Sequence, residues 1–138
     1  MSKFNYAAMG SAFFVMAGCV SVPTSDDIVF EVSESCAPST ATCFVTINEA
    51  LAAAELADPG RWVTVNVSRG DFYQKPTISR GKVRLVGAGA DNTRIYYDAV
   101  ARDSRKYHRD NWGTPGSATL TINADEVYVS GMTIENSY

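Results

Sequence analysis

Side chains able to do nucleophilic or acid–base chemistry are sparse in this chain. There is one histidine, His108. Ser104 lies four residues before it, but no strand–turn–helix elbow surrounds that serine, so a serine–histidine nucleophile has no frame. His108 belongs to a polar, irregular stretch, Asp98–Asn111, with Arg102, Asp103, Arg105, Lys106, Arg109 and Asp110. Such a stretch is either a binding loop or a solvated insertion between structural elements. Metal chemistry is equally short of ligands. The three cysteines, Cys19, Cys36 and Cys43, contain no second closely spaced pair, and His108 alone cannot complete a site. No metal and no cofactor is expected.

Cysteine parity points instead to export. Lys3 begins a positive leader, and Tyr6–Met16 is an apolar run too short to span a bilayer. It ends in Met16-Ala17-Gly18-Cys19, which resembles a bacterial lipobox with Met where Leu is common. In that reading residues 1–18 are removed and Cys19 carries the lipid. The alternative is an ordinary secretory leader with a chance cysteine. Val20 follows Cys19 where an inner-membrane signal would have Asp; by the sorting rule of the resembled lipoproteins this favours the outer membrane. Losing residues 1–18 removes only the charge of Lys3, taking the net charge from -3 to -3 minus 1, or -4. Cys36 and Cys43 then remain, seven positions apart, and an oxidising compartment allows them to pair, with two free thiols as the alternative.

The elements that must position any site are mostly strands. With 46% hydrophobic and 20% charged residues, the 138-residue chain is an ordinary globular composition for one modest domain. The net charge of -3 and the lack of a basic stripe argue against nucleic acid as a partner. Residues 19–43 read as a tether rich in Ser, Pro, Thr and Asp, with one short extended run, Ile28–Val32. Phe44–Ala57 reads as a helix in which Thr46 caps the N-terminus and Glu49 completes a capping box. Ile47, Ala50, Leu51 and Ala54 fall on one face, and Asp58-Pro59-Gly60 stops the helix.

Val63, Val65 and Val67 alternate with polar residues, as a half-buried strand does. Gly70 and Asp71 break that run, and Pro76 argues against a central strand over Phe72–Ile78. Val83 and Leu85 repeat the alternation roughly twenty residues on, without an intervening helix. That spacing suggests either one coil of a parallel β-solenoid or a meander in a small antiparallel sheet. In the solenoid reading Val65 and Leu85 point inward on successive coils, Thr64 and Arg84 point outward, and the preceding helix plugs the open end of the core. Ile95 is a further core candidate. Trp112–Ser117 is a tight glycine-rich turn, and strands follow at Ala118–Ile122, Val127–Val129 and Met132–Ile134.

Four blocks then carry a family resemblance, in order. F-V-T-I-N-E-A-L-A-A-A resembles the opening block of pectinesterases, and V-T-V-N-V-S-R-G-D-F-Y-Q-K-P resembles their next segment. V-R-L-V-G-A-G-A-D-N-T-R-I is similar to a third, and G-T-P-G-S-A-T-L-T-I-N-A-D-E-V-Y-V-S-G-M-T-I-E-N-S to a fourth. The blocks run from Phe44 to Ser137. The resemblance implies an all-β fold, a right-handed parallel β-helix over residues 44–138. It implies hydrolysis of pectin methyl esters by an aspartate nucleophile, an acid–base aspartate, an oxyanion-holding glutamine and an orienting arginine. The family places those groups after the segment matched by Glu135-Asn136-Ser137. None of Asp98, Asp103, Asp110 or Asp125 matches a catalytic motif. Only Thr114 is carried over, as a substrate contact whose hydroxyl reaches a sugar carboxylate or ester; the plainer role is capping its own turn. The expectation is a pectin-directed esterase whose reacting groups lie beyond Tyr138, so that this chain alone is inactive. Two other readings are a non-catalytic polysaccharide-binding module and an esterase or thioesterase on another substrate. An acidic protein does not attract polygalacturonate through its bulk field, whereas highly methylated pectin is nearly neutral.

Overall fold

The structure, a computed structural model, describes residues 27–106 and 113–138. Its strands are short because glycines, polar corners and Pro76 interrupt each alternating run. They are β1 (Ile28–Val32), β2 (Cys43–Phe44), β3 (Val63–Val67), β4 (Gly70–Tyr73), β5 (Thr77–Ile78), β6 (Val83–Gly87), β7 (Thr93–Tyr97), β8 (Thr121–Ile122), β9 (Val127–Ser130) and β10 (Thr133–Asn136). Among the described residues one α-helix, α1 (Ile47–Leu56), lies between β2 and β3.

Every strand pairing among the described residues is parallel, which excludes the antiparallel meander over them. The first sheet has the order β2-β1-β3-β6-β9, the second β10-β7-β4 and the third β5-β8. The chain visits the three sheets in turn, so successive coils stack as a parallel β-helix. Val63 stands beside Val83 and Val65 beside Leu85, as the twenty-residue spacing predicts. Those four side chains are fully buried. Phe72 and Ile95 form the matching inward pair of the second sheet, and Thr64 and Arg84 lie on the outer face. Each fully buried aliphatic side chain is worth about 1.5–3 kcal/mol relative to exposure. A one-residue slip would turn the whole ladder outward.

The corner between β6 and β7 is equally constrained. The Thr93 hydroxyl, fully buried, donates to the Ser68 carbonyl at 3.0 Å and accepts from the Ala88 amide at 2.9 Å. Beside it, a Cβ at Gly87 would lie 2.2 Å from the Gly131 carbonyl oxygen, so two coils meet there backbone to backbone.

Several boundaries differ from the sequence reading: β4 begins at Gly70, where a break is expected, and the strand expected over Ala118–Ile122 is confined to Thr121–Ile122. Residues 28–32 are not tether: β1 pairs with β3 along its whole length, and Phe30 and Val32 join the core. The folded domain therefore includes Ile28, well before residue 44. Phe44 is in a strand and outside the helix, because the Thr46 cap confines helical backbone to the residues after it; Phe44 instead packs edge-on against Phe30 at 5.2 Å. The capping box itself is formed, with Thr46 Oγ1 accepting from the Glu49 amide at 3.1 Å and Glu49 Oε2 from the Thr46 amide at 3.2 Å. Ile47, Ala50, Leu51 and Ala54 are buried against the first coil, so α1 closes that end of the core. Cys36 and Cys43 form a disulfide with Cα atoms 5.4 Å apart, beside β1.

Candidate functional site

The Gly113–Ser117 turn starts from a left-handed glycine, Gly113 at φ 60°, which Pro115 follows in the first helical turn of a short 3-10 segment. Thr114 is exposed at the head of that segment. Its carbonyl accepts from the Ser117 hydroxyl at 2.8 Å, and the Gly113 carbonyl from the Gly116 amide at 3.0 Å.

Three side chains anchor this turn to the β-helix. Asn136, in β10, donates through Nδ2 to the Ser117 carbonyl at 3.0 Å and to the Ala99 carbonyl at 2.9 Å. The Thr119 hydroxyl donates to the Glu135 carbonyl at 2.8 Å. The Lys75 ammonium, just past β4, donates to the Ala118 carbonyl. Burial lowers the Lys75 pKa from the ordinary lysine value, since the charged form loses hydration there. The described part of the polar stretch, residues 98–106, is packed and not merely solvated. Ala101–Lys106 is 3-10 helical, and Ala99 and Ser104 are buried. Ser104 is thus a packed residue. Below the turn, Pro115, Ala118, Leu120, Thr121, Ile122 and Asn123 line a cavity of about 490 Å³. The buried Thr121 hydroxyl is without a hydrogen-bond partner among the described residues.

Next to the turn, the outer face of the second sheet gathers residues that the sequence reading did not group. Tyr73 and Tyr96 stand side by side in register, ring centroids 5.3 Å apart. Tyr97 stacks on Tyr73 at 4.7 Å with rings 20° apart. The Tyr73 hydroxyl donates to an Asp98 carboxylate oxygen. One position along, Arg94 donates to Asp71 at 3.0 Å and to Glu135 at 3.1 Å. The hydrogen bond to Asp71, and then that to Glu135, raise the Arg94 pKa further. These residues come from three different coils, so their grouping emerges only once coil length is known.

Arg94 with two carboxylates has the residue types of carboxylate catalysis, but not its environment. The Asp71 and Glu135 side chains are 64% and 42% exposed, and both already bind the guanidinium. A nucleophile needs a dry, preorganised setting with oxyanion donors facing it. Of the other aspartates, Asp103 pairs with Lys106 at 3.2 Å, and Asp125 is exposed at a corner. Asp110, His108 and Cys19 lie outside the described residues.

Over 95 residues the chain is 30% identical to pectinesterase A of Dickeya dadantii (strain 3937), covering 69% of this chain and 25% of that protein. The pectin methylesterase PemA from Erwinia chrysanthemi superposes with a TM-score of 0.63 at 26% identity, covering 83% of this chain and 32% of that one. The matched part of this chain belongs to the pectin methylesterase family. A further relative, putative pectinesterase 10 of Arabidopsis thaliana, is 29% identical over 103 residues, 73% of this chain and 27% of that protein. A pectin methylesterase solved in complex with a hexasaccharide superposes with a TM-score of 0.62 at 26% identity, over 79% of this chain and 30% of that one. No protein-family model matches. The chain spans about a quarter of the length of the pectinesterases of Dickeya that it matches.

Proposed function

We propose that these coils are the substrate-side portion of an enzyme that removes methyl esters from pectin, with Thr114 as a sugar contact. The observation that carries this reading is the arrangement of the Gly113–Ser117 turn. Asn136, Thr119 and Lys75 fix it at the ends of β4 and β10, so that an exposed hydroxyl-bearing residue stands at a rigid rim. The family likeness of fold and sequence supports the substrate class. The attacking and acid–base carboxylates are expected from further coils of such an enzyme, after the segment that ends in Glu135-Asn136-Ser137. This portion supplies positioning and no nucleophile. The lipobox-like Met16-Ala17-Gly18-Cys19 supports a second element of the proposal: Cys19 carries a lipid that holds the protein at the outer membrane.

The test is methanol release from methylated pectin by a polypeptide in which following coils extend this chain, with the 138-residue product assayed beside it. Release by the longer form alone is the expected result. Release by the 138-residue product, lost on mutation of one of its own carboxylates, would place the reacting groups inside this chain and overturn the assignment. So would a longer form inactive on every pectin tried. Detergent partitioning of the wild type against Cys19→Ser checks the anchor: both in the aqueous phase means no lipid at Cys19.

A further inference from the structure

The first sheet carries an aromatic pair on its outer face that the esterase reading leaves unused. Asp27, Trp62, Lys82 and Glu126 stand on successive rungs where the strands begin, directly before Ile28, Val63, Val83 and Val127. One position further in, Arg84 and Tyr128 lie side by side in register. The Tyr128 ring is 5.6 Å from the Trp62 ring, and the residue is 62% exposed. The Arg84 guanidinium lies 4.1 Å over the Trp62 ring and binds the Asp27 carboxylate at 3.0 Å. The Ile28 amide donates to the Trp62 carbonyl at 2.9 Å. The chain therefore enters the fold fixed against this pair of rings.

Trp and Tyr combine an apolar body with a polar tip, which suits them to the headgroup level of a bilayer. The charges along this edge balance: Arg61, Lys82 and Arg84 stand with Asp27, Asp125 and Glu126. Contact here would therefore rest on the rings more than on anionic lipid. Cys19 is eight positions before Asp27, a length of at most about 29 Å in any conformation. Tyr128 is three strands from β1, about 14 Å across the sheet. A lipid on Cys19 thus keeps the bilayer within reach of this face. The geometry points to Trp62 and Tyr128 as a membrane-docking patch: the anchored protein lays the outer face of its first sheet against phospholipid headgroups. This rests on the lipid-anchor reading of Cys19. The second sheet, with the Thr114 turn at its end, is a different face of the β-helix and stays open.

The test uses the full chain processed in a bacterial host, in a Trp112→Phe background that leaves Trp62 as its tryptophan. It is placed in phosphatidylcholine vesicles, with and without phosphatidylglycerol, whose acyl chains carry bromine either near the headgroup or deep in the core. Flotation reads the anchor, and quenching of Trp62 reads the docking. The protein should float, and shallow bromine should quench Trp62 more than deep bromine. Tyr128→Asp, a change at an exposed position, should remove most of that quenching without loss of flotation. Tyr128→Ser serves where the aspartate variant does not fold. With the charges balanced, quenching should change by less than about twofold between low and high salt. Flotation without quenching of Trp62 overturns the docking and leaves the anchor standing. Quenching untouched by both Tyr128 variants overturns it too, as does quenching that needs phosphatidylglycerol and low salt. A chain that does not float overturns the anchor, and the docking with it.

Discussion

Position by position, the inward ladder sets what the chain tolerates. Val65 is fully buried beside Leu85, whereas Thr64 lies on the outer face one residue away. An unpaired charge at the first costs several kcal/mol, and a surface change at the second stays within about 0.5 kcal/mol. Val65→Asp should therefore abolish cooperative unfolding where Thr64→Asp leaves the urea midpoint nearly unchanged; equal tolerance would mean that the register is different. Glu49 gives a pH signature. A hydrogen bond from the Ser39 hydroxyl, and next the Thr46 amide, hold its pKa below the ordinary glutamate value. Because the folded value is the lower one, its contribution is complete above the unfolded pKa, about 4.3. It is lost as pH falls through the folded pKa. A carboxyl titration by NMR should find Glu49 below that reference and Ser39→Ala should move it back up. A midpoint at the reference value in both proteins would remove the Ser39 contact.

At the level of elements, α1 depends on one distant arginine. Arg80 donates to the Ala54 carbonyl at 2.8 Å, to Asp58 at 3.2 Å and to Arg61 at 2.7 Å, joining the helix end and its exit loop to the end of β5. Lysine cannot reproduce that fork, so Arg80→Lys should lower stability by about 1–2 kcal/mol, read from the urea midpoint. The disulfide beside β1 closes a short loop. Replacing both Cys36 and Cys43 by Ser should cost about 2 kcal/mol by the loop-entropy argument. Much of this level was legible in the sequence. The Val63–Val67 and Val83–Leu85 alternations announce their inward faces, and Thr46 with Glu49 announces the helix start, since both signals are local. What was not legible depends on pairing across the fold. Ile28–Val32 is followed by the disulfide loop and a helix before its partner β3, so nothing near it in the chain marks it as the first coil. The Tyr73 cluster, Arg94 and Arg80 escaped for the same reason: their partners are one coil away or more, and only stacking brings them together. Thr114 could be found only through resemblance, because a lone threonine in a glycine-rich turn carries no chemical signal of its own.

Over the whole molecule, the two ends of the stack differ. The first coil is closed by α1, while inward-facing residues of the final coil are partly bare: Ile122 is 45% and Ile134 42% exposed, against full burial of Val83, Leu85 and Ile95. β8, β9 and β10 all present their outer edges on that side. Unpaired strand edges beside exposed apolar side chains favour association. The 138-residue polypeptide should self-associate, and the double change Ile122→Lys with Ile134→Lys should shift it toward monomer in sedimentation velocity. A wild type already monomeric would show that the end is tolerated as it stands. The stacking also fixes how this molecule responds to force. The hydrogen bonds of all three sheets run along the stacking axis, so a pull on the two ends opens them rung by rung and not together. The rung between Val63 and Val83 holds roughly twenty residues, on the order of 70 Å of extended chain. The rung between Val83 and Val127 holds more than twice that number. Stretched end to end, the chain should lengthen in steps of unequal size, the rung between Ile28 and Val63 giving a third length shortened by the segment between Cys36 and Cys43, which its covalent bond holds shut throughout.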